Sequence, residues 1–192
     1  MTLSEKNHIQ IVQVVVPAFD ENPRDFRGIA ELPRDKGEQS KCKISVLKDM
    51  SVPFAVNRLR YMPQDPSLIA CKTNGPDIRL CKISTSSNSA GSAVGVLQGH
   101  GKAGWGLSWS PLHEGLLVSG SDDCKICVFD VSKPVAPLCV LEGHSDVIDD
   151  VDCCHFDKNA FASVSDDKKL CLWDLRDTSV CFFRISISQA VV

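Results

Sequence analysis

Apolar residues fall in short runs along this chain, with glycine and proline scattered between them as punctuation. Ile9–Val16 and Cys42–Leu47 read as strands, and the polar stretch Pro17–Ser40 between them reads as a long surface loop. Further on, apolar positions recur in matched pairs 44 residues apart: Leu107 with Val151, Leu117 with Phe161, Ile126 with Leu170, Val128 with Leu172, Phe129 with Trp173. Strands repeated at a fixed interval predict an all-β architecture built from one repeating unit. No apolar run approaches the roughly eighteen residues that a membrane-spanning helix needs.

The 44-residue shift lays Leu97–Val131 on Leu141–Leu175 without a gap. Identities cluster at Gly99/Gly143, His100/His144, Ser119/Ser163, Ser121/Ser165, Asp122/Asp166, Asp123/Asp167, Lys125/Lys169, Cys127/Cys171 and Asp130/Asp174. Gly-His at the start and an aromatic-Asp pair 30 residues after each His resemble the WD40 repeat, which folds as four strands per propeller blade. That resemblance implies a buried hydrogen-bonded chain in each blade. The His bonds the Asp of the tight turn and the Ser of the second strand, and the Ser meets the indole N–H of the third-strand Trp. His144, Ser163, Asp167 and Trp173 form one complete set; His100, Ser119 and Asp123 form another in which Phe129 replaces the Trp. Phe has no N–H to donate, so the Phe129 blade is expected to be the looser one.

A degenerate third unit lies upstream, with Cys71 under Ser119 and Cys81 under Phe129 at an offset of 48, the excess falling in the Ser-rich loop Ser84–Ser92. Val180–Ser188 alternates like the outer strand of a last blade. The division that follows is an incomplete first blade with its long loop at 1–50, a degenerate WD blade at 51–96, WD blades at 97–140 and 141–188, and a tail at 189–192. That makes a partial WD40 β-propeller of about three and a half blades of four antiparallel strands. Propellers close with typically four to eight blades, so the chain reads as a piece of a larger ring.

The stretch Asn57-Arg-Leu-Arg-Tyr61-Met-Pro63-Gln64-Asp-Pro66 with Ile69–Thr73, the run Gly104–Pro111, and Ser121–Phe129 are similar to the retinoblastoma-binding histone-chaperone family. These are the WD40 small subunits of chromatin-assembly, deacetylase and Polycomb complexes. The resemblance is collinear over about residues 7–178. It implies a non-catalytic scaffold in the nucleus, with the cytoplasm as a second compartment, working with subunits of chromatin-modifying complexes. It also implies a docking face for the histone H3 tail or for basic corepressor peptides. The residues three and five after each Gly-His histidine line that face: Ala103 and Trp105, Val147 and Asp149. The family favours an acid where Asp149 stands and also where Ala103 stands, so here the charge rests on Asp149, and Trp105 offers a cation–π face. The family's groove for the first helix of histone H4 uses a helix and a late-blade loop outside this resemblance, so an H4-helix groove is not expected here.

Composition narrows the alternatives. A formal net charge of -3 gives no basic surplus, so direct nucleic-acid binding is not expected. Met1–Gln10 is polar and lacks the basic start and apolar core of a signal peptide, so the ten cysteines read as reduced thiols rather than a disulfide scaffold. Cys124-Lys-Ile-Cys127 with Cys153, Cys154 and His155 has the make-up of a zinc or redox site, but Cys127 and Cys171 share one strand position and Cys124 matches the turn residue Lys168. No metal and no cofactor is therefore expected. Ser, His and Asp repeated every 44 residues describe a scaffold, since an enzyme needs one triad. No catalytic residue is assigned. A generic WD40 adaptor, such as a ubiquitin-ligase substrate receptor or a peroxisomal import receptor, is the rival binding module, and a truncated product without independent activity is the remaining alternative.

Overall fold

The computed structural model describes residues 7–15, 43–83, 92–133, 136–178 and 181–186. Among these residues the chain forms fourteen strands and no helix. The loop expected at 17–40, most of the Ser-rich loop and the tail at 189–192 lie outside the described residues. β1 (Asn7–Val15) and β2 (Lys43–Val52) make a two-stranded sheet, in which His8 and Gln10 both bond the Asp49 carboxylate.

Three four-stranded antiparallel meanders follow. The first holds β3 (Val56–Tyr61), β4 (Leu68–Thr73), β5 (Ile78–Lys82) and β6 (Ser92–Leu97). The second holds β7 (Leu107–Trp109), β8 (Leu116–Gly120), β9 (Lys125–Asp130) and β10 (Cys139–Glu142). The third holds β11 (Ile148–Cys153), β12 (Ala160–Ser165), β13 (Lys169–Asp174) and β14 (Phe183–Ser186). The first strand of the second sheet, β7, packs against β3 on one side and β11 on the other, the arrangement of adjacent propeller blades.

Residue periodicity explains this stacking. Side chains alternate between the faces of a strand. Leu107, Trp109, Leu117, Cys127 and Phe129 point toward Met62, Ala70, Ile78 and Leu80 of the first sheet. Their neighbours Leu116, Val118, Ile126 and Val128 point the other way, onto Ile148, Val151, Phe161 and Trp173 of the third. Leu116–Gly120 is buried throughout because both faces of β8 are covered. Burying a large apolar side chain contributes about 1.5–3 kcal/mol, so the two inter-sheet cores dominate stability. Phe161 lies parallel to Trp173 with ring centroids 6.0 Å apart.

Local chemistry sets the turns. Cys124 and Lys168 both adopt left-handed backbone, at φ 65 and 63, in the tight turns β8–β9 and β12–β13. Asp123 and Asp167 stabilise those turns by accepting from the Lys125 and Lys169 N–H groups, each at 3.0 Å. Gly143 is demanded by packing: a Cβ there would lie 2.7 Å from Cη2 of Trp173. On the far face of the third sheet, Ala162, Leu172 and Phe183 form one cross-strand row and Val164, Leu170 and Ile185 the next. Leu172, Phe183 and Ile185 are exposed.

Candidate functional site: a carboxylate-rich rim over hydrogen-bonded turns

The third sheet carries an uninterrupted hydrogen-bonded chain. Nδ1 of His144 lies 3.0 Å from the Asp167 carboxylate, Nε2 lies 2.7 Å from Ser163 Oγ, and Trp173 Nε1–H donates to that oxygen at 2.8 Å. An ionised carboxylate only accepts, so Nδ1 carries the proton and Nε2 accepts from the Ser163 hydroxyl. Burial works to raise the Asp167 pKa, but hydrogen bonds from the Ser145 N–H and from His144 outweigh it and hold the carboxyl at about 2.

The second sheet repeats the chain with a different last member. His100 lies 3.2 Å from Asp123 and 3.0 Å from Ser119 Oγ. Phe129 is buried and donates nothing, yet Ser119 has its donor: the Lys72 ammonium, 2.5 Å away, reaches it from β4 of the first sheet. The sequence argument that this blade lacks a donor is thereby corrected, since a neighbouring sheet supplies it. Burial first, then the nearby Lys72 charge, lower the His100 pKa to about 4, so the ring is neutral at pH 7.

Above these chains, the segments after each Gly-His turn share one geometry. The Asp122 N–H donates to Ala103 O at 2.9 Å and the Asp166 N–H to Val147 O at 3.0 Å. Trp105 stands between two buried glycines and is 49% exposed, whereas Trp109 and Trp173 are buried. Asp149 is exposed and sits where the β11–β12 register shifts between Ile148 and Asp150. A bulge of this kind re-aims a side chain out of the ladder. Three nearby carboxylates, Asp166, Asp122 and Asp146, follow slight burial as the causes that raise the Asp149 pKa. Such a cluster of like charge is relieved by a cation.

Register reveals a third member that the motif search missed. Leu59, Leu107 and Val151 pair with Cys71, Ser119 and Ser163 in their respective sheets, so Asn57, Trp105 and Asp149 are equivalent. Asn57 also sits at a register shift, and its Nδ2 donates to Gly104 O at 3.2 Å. The offset of 48 that aligns Cys71 with Ser119 would have found it. One place along, Arg58 of β3 reaches Asp150 of β11 at 2.8 Å, and Gly106, equivalent to both, has no side chain to intervene. Arg58 thus neutralises Asp150 and leaves the charge of the rim on Asp122, Asp146, Asp149 and Asp166.

The cysteine constellation is dispersed. Cys127 is buried against the first sheet, Cys124 occupies the left-handed turn, and Cys154 and His155 lie in the β11–β12 connection. Among the described residues no three His, Cys, Asp or Glu side chains are grouped to hold a metal ion.

Consecutive four-stranded meanders, two of them carrying His–Ser–Asp chains, have the architecture of WD40 propeller blades. The family described as "WD domain, G-beta repeat" matches residues 91–130 and 135–174, each match starting with the outer strand of one sheet and ending on the third strand of the next. Among individual proteins, the chain is similar to the WD-40 repeat-containing protein MSI3 of Arabidopsis thaliana, with 36% identity over 180 residues. That alignment covers 89% of this chain and 41% of MSI3, so the chain spans about two fifths of the length of that relative. The solved structure of U3-55K matches with a TM-score of 0.62 at 16% identity, over 72% of this chain and 41% of that one, and shows the shared fold alone.

Proposed function

We propose that this chain is a non-catalytic scaffold of chromatin complexes that holds basic tails, of the histone H3 or corepressor kind, on the rim formed by Asn57, Trp105 and Asp149. The observation that carries the reading is the acidic surround of Asp149 on β11 together with an exposed indole at the equivalent place on β7, the strand packed against it. A Lys or Arg side chain relieves carboxylate repulsion there, and an indole face adds roughly 0.5–2 kcal/mol of cation–π attraction. Sequence similarity to MSI3 and the resemblance to the histone-chaperone family support the chromatin setting, and a nuclear location belongs to the same proposal. The non-catalytic reading is supported by the Ser and His of each repeated set: Ser119, Ser163 and His144 are buried and already committed to structural bonds.

Ala103 offers no charge where the family favours one, so binding is weak and salt-sensitive, with complementarity acting mainly on the association rate. The test is titration of an H3-tail peptide against wild type and Asp149→Lys at low and moderate salt. Weaker binding by the variant at both salts is expected. Equal binding by the two proteins, or preference for an acidic peptide, removes the rim as the docking face.

A further inference from the structure

Lys72 is fully buried, with 0% of its surface exposed. It stands on β4 and projects from the first sheet into the second. Its Nζ donates to Ser119 Oγ at 2.5 Å and to the Gly120 carbonyl at 2.6 Å. Its stem passes beneath the Gly104 backbone, where a Cβ would come within 3.2 Å of Lys72 Cε and 2.6 Å of Ser121 Cα. A buried ammonium is costly unless it is paired and hydrogen-bonded. Here both of its bonds go to one strand end, β8, on which the rim segment hangs: the Gly120 N–H donates to Gly106 O at 3.1 Å, and Ser121 Oγ donates to Ala103 O at 2.6 Å.

The two chains become directly comparable once donors are assigned. In the third sheet the order is Trp173 N–H to Ser163 O–H to His144 to Asp167. In the second it is Lys72 N–H to Ser119 O–H to His100 to Asp123. Phe129 and Trp173 hold the same register place, opposite Leu117 and Phe161. We propose that Lys72 is the donor that replaces the missing indole N–H, so that the hydrogen-bonded chain of the Phe129 sheet is completed by the preceding sheet and the two sheets order as a unit. Where the Trp173 sheet closes its chain with its own third strand, the Phe129 sheet borrows a group from its neighbour. The rim segment Ala103–Gly106 is thereby held in place from below by a residue that never reaches the surface. The inference is independent of what the rim binds.

The experiment is a double-mutant cycle on the full chain: wild type, Lys72→Met, Phe129→Trp and the double variant, each unfolded by heat and by urea. If the ammonium stands in for the indole, Lys72→Met lowers the melting temperature by about 5 °C or more, and Phe129→Trp at least halves that loss by restoring a donor to Ser119. Should Lys72→Met not fold, the double variant decides, because a restored indole lets it fold. Equal loss in both backgrounds, or a double variant that stays unfolded, overturns the proposal and reduces Lys72 to a packing residue.

Discussion

Replacing His144 with Ala removes the central link of the third-sheet chain. The imidazole is fully buried and the Asp167 carboxylate nearly so. The variant loses a bond to a charged group, worth about 1.5–3 kcal/mol, and a neutral bond to Ser163, worth about 1 kcal/mol. Asp167 keeps the N–H groups of Ser145 and Lys169, and Ser163 keeps the Trp173 indole, so neither is left bare. The net loss is about 3 kcal/mol, which for a chain of this size lowers the melting temperature by about 6–12 °C. Circular dichroism and urea titration read the global loss, and the Trp173 indole beside His144 serves as a local fluorescent reporter. His100→Ala should cost less, about 1–2 kcal/mol, because its bonds to Asp123 are longer and Lys72 remains on Ser119. A loss below about 1 kcal/mol for His144→Ala, or the opposite order of the two variants, would refute the assigned chain.

Three further outcomes follow from the same geometry. Burial lowers the Lys72 pKa to about 8 against the partial compensation of Cys127, Asp123 and Asp122, with neutral His100 also at hand; the unfolded chain therefore binds more protons between about pH 8 and 10.5, and Lys72 stabilises increasingly as pH rises through that window. The buried cysteines titrate with the opposite sign, so the check is the difference between wild type and Lys72→Met in urea midpoints across that range. Asp167 has the other pattern: its stabilisation is present above about pH 4 and is lost as pH falls toward 2, and Asp167→Asn should flatten that part of the acid-unfolding profile. The exposed Leu172, Phe183 and Ile185, spread over two adjacent cross-strand rows, should drive self-association, reduced by Phe183→Arg and Ile185→Lys; a sharp monomeric light-scattering peak for wild type would contradict it.

The second and third sheets were legible because Gly-His, Ser, Asp and the aromatic each hold a bond or a packing place that recurs at one spacing. The first sheet was read less fully. Cys71 replaces the Ser and no Gly-His precedes it, so Asn57 went unnoticed although β3 presents it as β7 presents Trp105 and β11 presents Asp149. Lys72 was illegible for a deeper reason. Between Cys71 and Thr73 it looks like one polar residue on a strand, and its burial depends on a second sheet packing over the face it occupies. Phe129 likewise announces a missing donor in its own repeat and says nothing of Lys72, which reaches Ser119 from 47 residues upstream of that serine. Arg58 and Asp150 lie 92 residues apart, and only the packing of three successive first strands brings them together. Pairwise repeat logic describes a blade; contacts between blades come from the stacking.

The rim can be watched through its own indole. Trp105 is exposed while Trp109 and Trp173 are buried, so a peptide docking over it changes the emission of one tryptophan in three. Fluorescence titration with an H3-tail peptide at low salt should give a saturable change that weakens as salt is raised and vanishes in Trp105→Phe, while that variant keeps the wild-type unfolding midpoint. No change on titration, or an undiminished change in Trp105→Phe, would contradict the assignment of this face as the basic-tail site.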